Sequence, residues 1–314
     1  MKVPLSFIIP ARNEERNIRA AIESVADWAD QFFVLDSYSE DRTIEIAEEM
    51  GAQIARRRFD NFSAQKNWAL DNLPLRNEWV FFLDADERVP FGLRRELKHL
   101  LSHPAGQLDG YYVGMKHLFM GATVNHGGWY PNDRLLLFKH RLGRYEPRIV
   151  HEHLILQGKT GRLANLLIHD DRKGIHRYFE RHNAYSTMEA LEAHRYLHRD
   201  QAGVSLRASL LGAAPERRRL LKQWAYRHLP CRPLCKFLWA YVLERGFLDG
   251  RVGLRYCLLQ SFYEYQISLK LLELRTDPES PMLKYGSADR AAAASDGGAD
   301  DISAQGVGAA AMHR

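Results

Sequence analysis

The chain has 314 residues, of which 46% are hydrophobic and 26% are charged, enough apolar material for one large core or two modest ones. This composition excludes a disordered protein. The chain has only three cysteines, which are too few, and odd in number, for a secreted domain held together by disulfides. A reducing, cytoplasmic environment is therefore expected. The N-terminal apolar stretch is soon followed by charge, and no run of about 18 uncharged apolar residues occurs, so neither a signal peptide nor a transmembrane helix is predicted.

The formal charge of +5 is unevenly distributed along the chain. Between Arg207 and Lys236 there are eight Lys or Arg residues and a single acidic residue, Glu216. Such a density suits an anionic partner, either nucleic acid or acidic lipid. Because no nucleic-acid motif accompanies the run and its aromatic residues are few, peripheral contact with an anionic membrane is favoured and no nucleic-acid partner is expected.

The N-terminal third alternates apolar strands with amphipathic helices. The predicted strands are residues 3–10, a segment QFFVLD that ends at Asp36, and residues 78–84; the predicted helices are residues 13–28, a segment from Asp41 or Thr43 to Met50, and residues 63–72. This alternation predicts an α/β fold with a mainly parallel sheet flanked by helices. Mixed strands and loops are expected from residue 109 to 168, and a helix over residues 175–200.

Residues 234–274 place apolar side chains at helical spacing, with Arg and Lys between them. The positions are Leu254, Leu258, Phe262, Tyr265, Leu269 and Leu272. Two interpretations remain open: a helical hairpin packed on the core, or a helix lying in the plane of a membrane surface. The predicted domains are residues 1–200, a basic and amphipathic helical region over 201–275, and a disordered tail over 276–314.

All three predicted strands end in polar residues, and open parallel sheets bind ligands beyond the carboxyl ends of their strands. Asp84 and Asp86 leave the third strand at positions i and i+2, where two carboxylates can converge on Mg²⁺ or Mn²⁺ together with diphosphate oxygens. A DxD sequence alone is also common in solvated turns. Its position directly after an apolar strand favours the metal.

The other strand tips carry further candidates. Arg12 can reach a phosphate, Asp36 can accept a hydrogen bond from a nucleobase, and Lys66 can meet a phosphate as a point charge. Each residue also has an ordinary structural explanation, as a cap, a turn residue or a surface lysine. Those explanations do not account for their occurrence together at the tips of three strands.

Several segments in order resemble the glycosyltransferase family 2 enzymes of the GT-A fold, and within them the lipopolysaccharide-core β-glucosyltransferase-like branch. The matching segments are FIIPARNEERNI, FVLDSYSEDRTIEIA, FSAQKNWAL, WVFFLDADERV, GGWYPNDRLLLF and VHEHL, about half of the chain. The resemblance implies that a nucleotide sugar, with UDP as the expected nucleotide, donates its sugar to a hydroxyl of a cell-envelope glycan or lipid-linked saccharide. By the same resemblance the donor is surrounded by Pro10, Ala11, Arg12, Glu14, Asp36, Lys66, Asp84 and Ala85, and the metal is held by Asp86 and Asp84.

In that family an acidic residue in the second half of the domain acts as the base, often within a Glu-Asp pair. This chain has no such pair in the expected stretch, so Glu152 becomes the candidate, with inversion at the anomeric carbon. Asp133, Glu146 and His169 are held in reserve for base or metal contact. A competing zinc site on His151 and His153 lacks a second pair of ligands at useful spacing.

The segment after Gly127 and Gly128 offers an acceptor or sugar site. Trp129 and Tyr130 can stack on a sugar ring or can simply plug the loop, and Arg134 can reach the diphosphate or an anionic acceptor. All three residues are therefore predicted to contact the acceptor or the sugar.

Three alternative functions fit the sequence less well. A phosphatase of the haloacid-dehalogenase type has its DxD after an early strand, followed by Thr or Val, whereas this chain has DADER after the third predicted strand. A sugar nucleotidyltransferase needs a glycine-rich first loop, which IIPARNEE lacks, and a non-enzymatic module would use only the basic run. The sequence therefore predicts an inverting, metal-dependent glycosyltransferase that is cytoplasmic and peripherally associated with the inner face of the plasma membrane.

Overall fold

The computed structural model describes residues 2–103, 108–128, 133–146, 153–198, 229, 231–277, 279–283 and 302–303. The chain divides into two compact units, one of Met1–Asn125, Trp129–Gly174 and Gly297–Arg314 and one of His126–Gly128 and Ile175–Asp296. The predicted domain boundary between residues 200 and 201 lies outside the described residues, as does most of the predicted tail.

The first unit is built from fourteen strands and four helices within the described residues. The strands are β1 (Val3–Ala11), β2 (Ala29–Asp36), β3 (Gln53–Arg56), β4 (Trp79–Phe82), β5 (Glu87–Arg88), β6 (Gly110–Val113), β7 (Met115–Phe119), β8 (Ala122–Val124), β9 (Arg134–Lys139), β10 (Gly143–Tyr145), β11 (Leu154–Leu156), β12 (Thr160–Arg162), β13 (Leu167–His169) and β14 (Ile302–Ser303). The helices are α1 (Ile18–Glu23), α2 (Thr43–Glu49), α3 (Phe62–Asn72) and α4 (Phe91–Ser102).

The main sheet has the strand order β12-β6-β9-β4-β1-β2-β3-β14. Strand β1 lies parallel to both β2 and β4, and β2 lies parallel to β3, while β9 runs antiparallel to its neighbours β4 and β6. The predicted α/β class with a mainly parallel sheet is therefore confirmed. A smaller sheet, in the order β5-β13-β7-β8, and the hairpin β10–β11 complete the unit.

The central strands are buried on both faces, as their uninterrupted apolar sequences predict. Phe7 of β1 lies on one face, where its ring centroid is 5.4 Å from that of Trp28 and 5.1 Å from that of Phe81. Its chain neighbour Ile8 lies on the other face, in the cluster that contains Phe82. Because side chains alternate along a strand, β1 and β4 together hold both halves of the core.

The first helix is shorter than the sequence predicts. A helix was predicted over residues 13–28, but α1 covers only six residues, because Asn13 has a left-handed φ of 54° and the backbone N–H of Glu14 donates to Oγ1 of Thr43 at 2.7 Å. The residues before α1 therefore form a loop joined to the start of α2. Strand β3 and helix α4 were not predicted at all.

The second unit is helical. Its regular elements among the described residues are α5 (Gly174–His198), α6 (Arg232–Leu238), a π-helical turn (Trp239–Leu243), a 3-10 turn (Gly246–Asp249) and α7 (Gly250–Thr276). The helical pattern predicted over residues 234–274 is thus interrupted by these two turns. The second turn packs closely against the start of α7, since a Cβ on Gly253 would lie only 2.1 Å from the carbonyl oxygen of Gly246. None of the helices in the described part of the chain is both long and apolar enough to span a bilayer.

The paired Phe7 and Phe81 rings give a test of the core. Phe81→Ala removes a fully buried ring from β4 and should lower the free energy of unfolding by about 3 to 5 kcal/mol. The matched control is Phe91→Ala, because the Phe91 side chain is 72% exposed, and it should change stability by less than about 0.5 kcal/mol. Urea unfolding measures both changes, and equal losses in the two variants would contradict this core assignment.

Candidate active site

The tips of three neighbouring strands meet at one edge of the main sheet. Ala11 at the end of β1 pairs in register with Asp36 at the end of β2. On the other side of β1, the backbone N–H of Leu83 donates to the carbonyl of Ile8 at 3.0 Å, so the chain leaves β4 beside the same edge. The segment that carries Asp84 and Asp86 therefore lies next to the tips of β1 and β2.

The loops after β1 and β2 are joined to each other. The backbone N–H of Asn13 donates to Oγ of Ser39 at 2.9 Å, and that of Glu40 donates to Oδ1 of Asn13 at 2.8 Å. Asp36 is buried, and its oxygens accept from the backbone N–H of Ser39. In this structure Asp36 shapes the loop, while Arg12 is exposed at the rim.

Glu87 fixes the turn that carries the DxD aspartates. It is completely buried; its Oε2 accepts from the backbone N–H of Asp84 at 2.9 Å, and its Oε1 accepts from Nη1 of Arg134 at 2.7 Å. The same Nη1 lies 3.0 Å from Oδ2 of Asp84. Arg134, predicted to reach the diphosphate or an acceptor, is thus paired with two carboxylates. Glu87 is a site residue that the sequence did not predict.

The charges in this turn influence one another strongly. Burial, the largest influence, raises the pKa of Glu87 to about 7; Arg134 opposes that shift, and Asp84 adds to it by repulsion. Burial also disfavours the charged form of Asp84, but the cations Arg134 and Lys66 outweigh it and hold the pKa of Asp84 below its ordinary value. Asp84 is therefore the carboxylate of the turn that is held in its charged form.

Asp86 lies beside His169 of the smaller sheet, whose ring contacts that of His117. Nδ1 of His169 is 3.4 Å from Oδ1 of Asp86, and the ring centroid of His169 is 5.1 Å from that of His117. Burial disfavours the charged form of His169, but Asp86 outweighs it and raises the pKa of His169 to about 9. For His117, burial together with the positive charge of His169 lowers the pKa to about 4. His169, a reserve candidate, is thereby brought to Asp86.

Glu14 forms a second ion pair at the same edge. Its carboxylate pairs with Nζ of Lys173 and accepts from Nδ2 of Asn17 at 2.9 Å. Burial outweighs Lys173 and raises the pKa of Glu14, with a further contribution from the negative charge of Asp86. Lys173 is a site residue that sequence reasoning missed; its only signal was its place in the polar run HDDRKG.

Lys66 on α3 provides a cation at the bottom of the site. It is buried, and its Nζ lies 5.0 Å from the ring centroid of Tyr145. The neighbouring Gln65 donates from Nε2 to Oγ of Ser37 at 2.7 Å, which joins α3 to the tip of β2. This contact explains how a helix residue comes to lie close enough to Asp84 to lower its pKa.

The remaining predicted site residues lie partly outside the part of the chain that the structure describes. Glu152, Trp129, Tyr130 and His151 lie outside the described residues. Of the reserve candidates, Asp133 pairs with Arg162 at 3.0 Å. Among the described residues, no group of three or more His, Cys, Asp or Glu side chains is arranged to hold a metal ion, which leaves the two DxD carboxylates as the candidate pair.

The segment of sequence that builds this edge of the sheet matches a known family of enzymes. Residues 6–143 match the sequence model of the family described as Glycosyl transferase family 2. This segment is a glycosyltransferase family 2 domain. It contains the tips of β1, β2 and β4, and the chain is therefore an enzyme of the glycosyltransferase class.

Individual relatives agree with this assignment. An uncharacterized glycosyltransferase of Rickettsia prowazekii is 26% identical over 200 residues, which cover 60% of this chain and 68% of the relative. The lipopolysaccharide core biosynthesis glycosyltransferase LpsC of Rhizobium meliloti is 27% identical over 196 residues, which cover 60% and 71%. S. aureus TarS 1-349, solved in complex with UDP-GlcNAc, has a TM-score of 0.44 and 15% identity over 88% of this chain and 92% of that one. The assignment rests on the sequence family and not on that loose overlay.

Removing Arg134 tests its part in holding the turn. Arg134→Met leaves the buried Glu87 without its cation, so that Glu87 must either bury an unpaired charge or take up a proton at pH 8, and the free energy of unfolding should fall by about 3 kcal/mol. The matched control is Arg144→Met, which breaks an exposed pair with Asp71 and should cost less than about 1 kcal/mol. Urea unfolding measures both values.

A second variant separates this role from simple loss of packing. Arg134→Met combined with Glu87→Gln removes the uncompensated charge and should recover part of the lost stability. If the loss of stability in the double variant equals or exceeds the sum of the losses in the two single variants, Arg134 does not act by neutralising Glu87.

Proposed function

We propose that this enzyme transfers a sugar, most simply a hexose, from a UDP-sugar to a hydroxyl group of a cell-envelope glycan, with inversion at the anomeric carbon. The observation that carries the proposal is the convergence of Ala11, Asp36 and the Asp84–Asp86 turn at the edge where β1, β2 and β4 end. In an open parallel sheet this edge is the place where nucleotides bind.

The nucleotide would lie along the tips of β1 and β2. Pro10, Ala11 and Arg12 line the end of β1, with Asp36 across from them on β2. Lys66 and Arg12 are the cations proposed to meet the diphosphate, one buried below the cleft and one exposed at its rim. Glu14, with Lys173, and Ala85 complete the proposed donor site.

A divalent cation, Mg²⁺ or Mn²⁺, fits the donor set of Asp84 and Asp86. Both side chains offer carboxylate oxygens, the hard ligands that these ions prefer, and two protein ligands leave positions for diphosphate oxygens. When bound, the cation would neutralise negative charge that develops on the departing nucleotide. Arg134 and Glu87 orient Asp84, and His169 lies against Asp86.

The proposed reaction needs a base on the acceptor side. Glu152 would accept the proton of the acceptor hydroxyl while that oxygen bonds to the anomeric carbon. The bond from this carbon to the diphosphate oxygen breaks on the opposite face, and the nucleoside diphosphate leaves with the electron pair. Trp129 and Tyr130 are the proposed sugar-stacking residues.

The acceptor class is proposed from the relatives. LpsC is named as a lipopolysaccharide core biosynthesis enzyme, and this chain shares 27% identity with it. An acceptor of that kind, or another lipid-linked saccharide, is presented at the inner face of the plasma membrane. We therefore propose that the enzyme works there as a peripheral membrane protein, with no nucleic-acid partner.

A panel of UDP-, GDP- and TDP-sugars tests the donor site. One UDP-sugar should raise the thermal midpoint of the protein only when Mg²⁺ or Mn²⁺ is present, since the ion and Asp86 hold the diphosphate together. Asp86→Asn should abolish that shift, whereas Asp71→Asn, at an exposed aspartate on α3, should retain it. Products should be a nucleoside diphosphate and a new glycoside. Release of pyrophosphate would instead show nucleotidyl transfer.

The base assignment has a separate test. Glu152→Gln keeps the size of the side chain but cannot accept the proton, so kcat should fall about 10²- to 10⁴-fold while donor binding stays nearly unchanged. Rapid-quench or steady-state assays with the donor identified above measure kcat. If turnover survives in Glu152→Gln and is instead lost in Glu146→Gln, the base is the reserve residue.

A further inference from the structure

Helix α7 in the second unit carries a continuous apolar face that is open to solvent. Six large apolar side chains lie on it, each between 37% and 55% exposed. At about 100° per residue they project within an arc of about 80°, and they extend over about 27 Å of the helix axis. This apolar stripe consists of Leu254, Leu258, Phe262, Tyr265, Leu269 and Leu272.

The stripe is not the face by which α7 packs in its unit. The buried face is on the other side of the helix, where Ile267 and Leu274 form a cluster with Ala190 and Leu191 of α5. Near the start of the helix, Gly253 lies against the backbone of Gly246. Among the described residues, helix α7 thus has one apolar face that packs within the unit and a second that is exposed.

The segment before α7 exposes further large apolar residues. Helix α6 is joined to α7 by the ion pair of Arg232 with Glu264 and by the Ser261 hydroxyl, which donates to the carbonyl of Pro233 at 2.7 Å. Single exposed apolar residues are ordinary, but so many on adjacent packed elements mark an interaction surface. The exposed residues of this segment are Leu234, Leu238, Trp239, Val242, Leu243, Phe247 and Leu248.

Three arginines lie at the N-terminal end of the stripe. Arg251 projects within the arc of the stripe and Arg255 at its edge, while Arg245 is exposed in the preceding turn. Among the described residues none of these three arginines has an ion-pair partner. The acidic residue in the middle of α7, Glu264, is already paired with Arg232. An apolar face bordered by unpaired arginines complements a surface of apolar chains under anionic headgroups.

We propose that the apolar stripe lies in the headgroup region of an anionic lipid bilayer, with the axis of α7 parallel to the membrane plane. Leu and Phe side chains enter the acyl boundary, and Arg245, Arg251 and Arg255 contact lipid phosphates. This inference rests on the proposed function, because contact with the membrane would bring the enzyme to a membrane-bound acceptor. The surface itself involves none of the donor-site residues.

Flotation of the full chain with vesicles tests the apolar part of the surface. Wild-type protein should bind vesicles of phosphatidylglycerol and phosphatidylethanolamine, and Leu258→Glu combined with Leu269→Glu should weaken binding by about 100-fold or more, since each buried leucine is worth about tenfold or more. The matched control is Phe91→Glu combined with Met120→Glu, two exposed apolar residues of the first unit, which should bind as the wild type does.

The arginines are tested by charge removal. Arg251→Gln combined with Arg255→Gln should weaken binding to anionic vesicles about 25-fold, about fivefold for each arginine, and should reduce its salt dependence. Binding to phosphatidylcholine vesicles should be weak in both proteins and the same in both. This variant keeps the apolar stripe intact, so it also decides the matter if the glutamate variant fails to fold.

Three results would overturn the inference. The wild type could ignore anionic vesicles, the stripe variants could bind them unchanged, or the glutamate variant could turn a lipid-free dimer into a monomer in light scattering, which would assign the stripe to a second copy of the chain. A wild type that transfers sugar yet ignores vesicles defeats this inference alone. One that floats with vesicles yet neither binds nor consumes a nucleotide sugar defeats the proposed function alone.

Discussion

A buried carboxylate organises the site. Glu87 accepts a hydrogen bond from the backbone of Asp84 and another from Arg134, and a carboxylate so far from water is costly to ionise unless both contacts are made. The same residue belongs to β5, where it pairs in register with His169 of β13. Glu87 therefore joins the turn after β4 to the smaller sheet. The positions of Asp84 and Asp86 at the cleft depend on this link.

Three carboxylates of the cleft each lie beside a cation from a distant part of the chain. Asp84 is paired with Arg134, Asp86 lies against His169, and Glu14 is paired with Lys173. Without a donor, the negative charges are thus largely balanced within the protein. A nucleoside diphosphate brings additional negative charge to this edge, and a divalent cation on the DxD aspartates would offset it.

The site extends beyond the segment that identifies the family. The family 2 match ends at residue 143, yet His169 and Lys173 follow it and contact residues near the tips of β1 and β4. His169 is the last residue of β13 and Lys173 follows it, and β13 runs parallel to β7 in the smaller sheet. The later part of the first unit therefore supplies the counter-charges of Asp86 and Glu14, while the family segment supplies Arg134 and the proposed nucleotide and metal contacts.

The parallel sheet and the position of the DxD turn follow from the amino-acid sequence alone. Uninterrupted apolar strands that end in Ala11, Asp36 and Asp84 alternate with helices, and parallel strands bring their carboxyl ends to one edge whatever the details of packing. The sequence could not reveal the partners of those residues. Glu87 looks like any charged turn residue, and the contacts of His169 and Lys173 span many residues and depend on the register of the smaller sheet.

Helix α7 shows the same limit. Its period of 3.6 residues is equally compatible with an apolar stripe facing inward or outward, so the sequence left a packed hairpin and a membrane-plane helix both open. The packing of α7 against α5 shows that Leu258 and Leu269 face solvent while Ile267 and Leu274 are buried. Local periodicity fixes which residues share a face, but which face is buried depends on the neighbours that the fold brings to it.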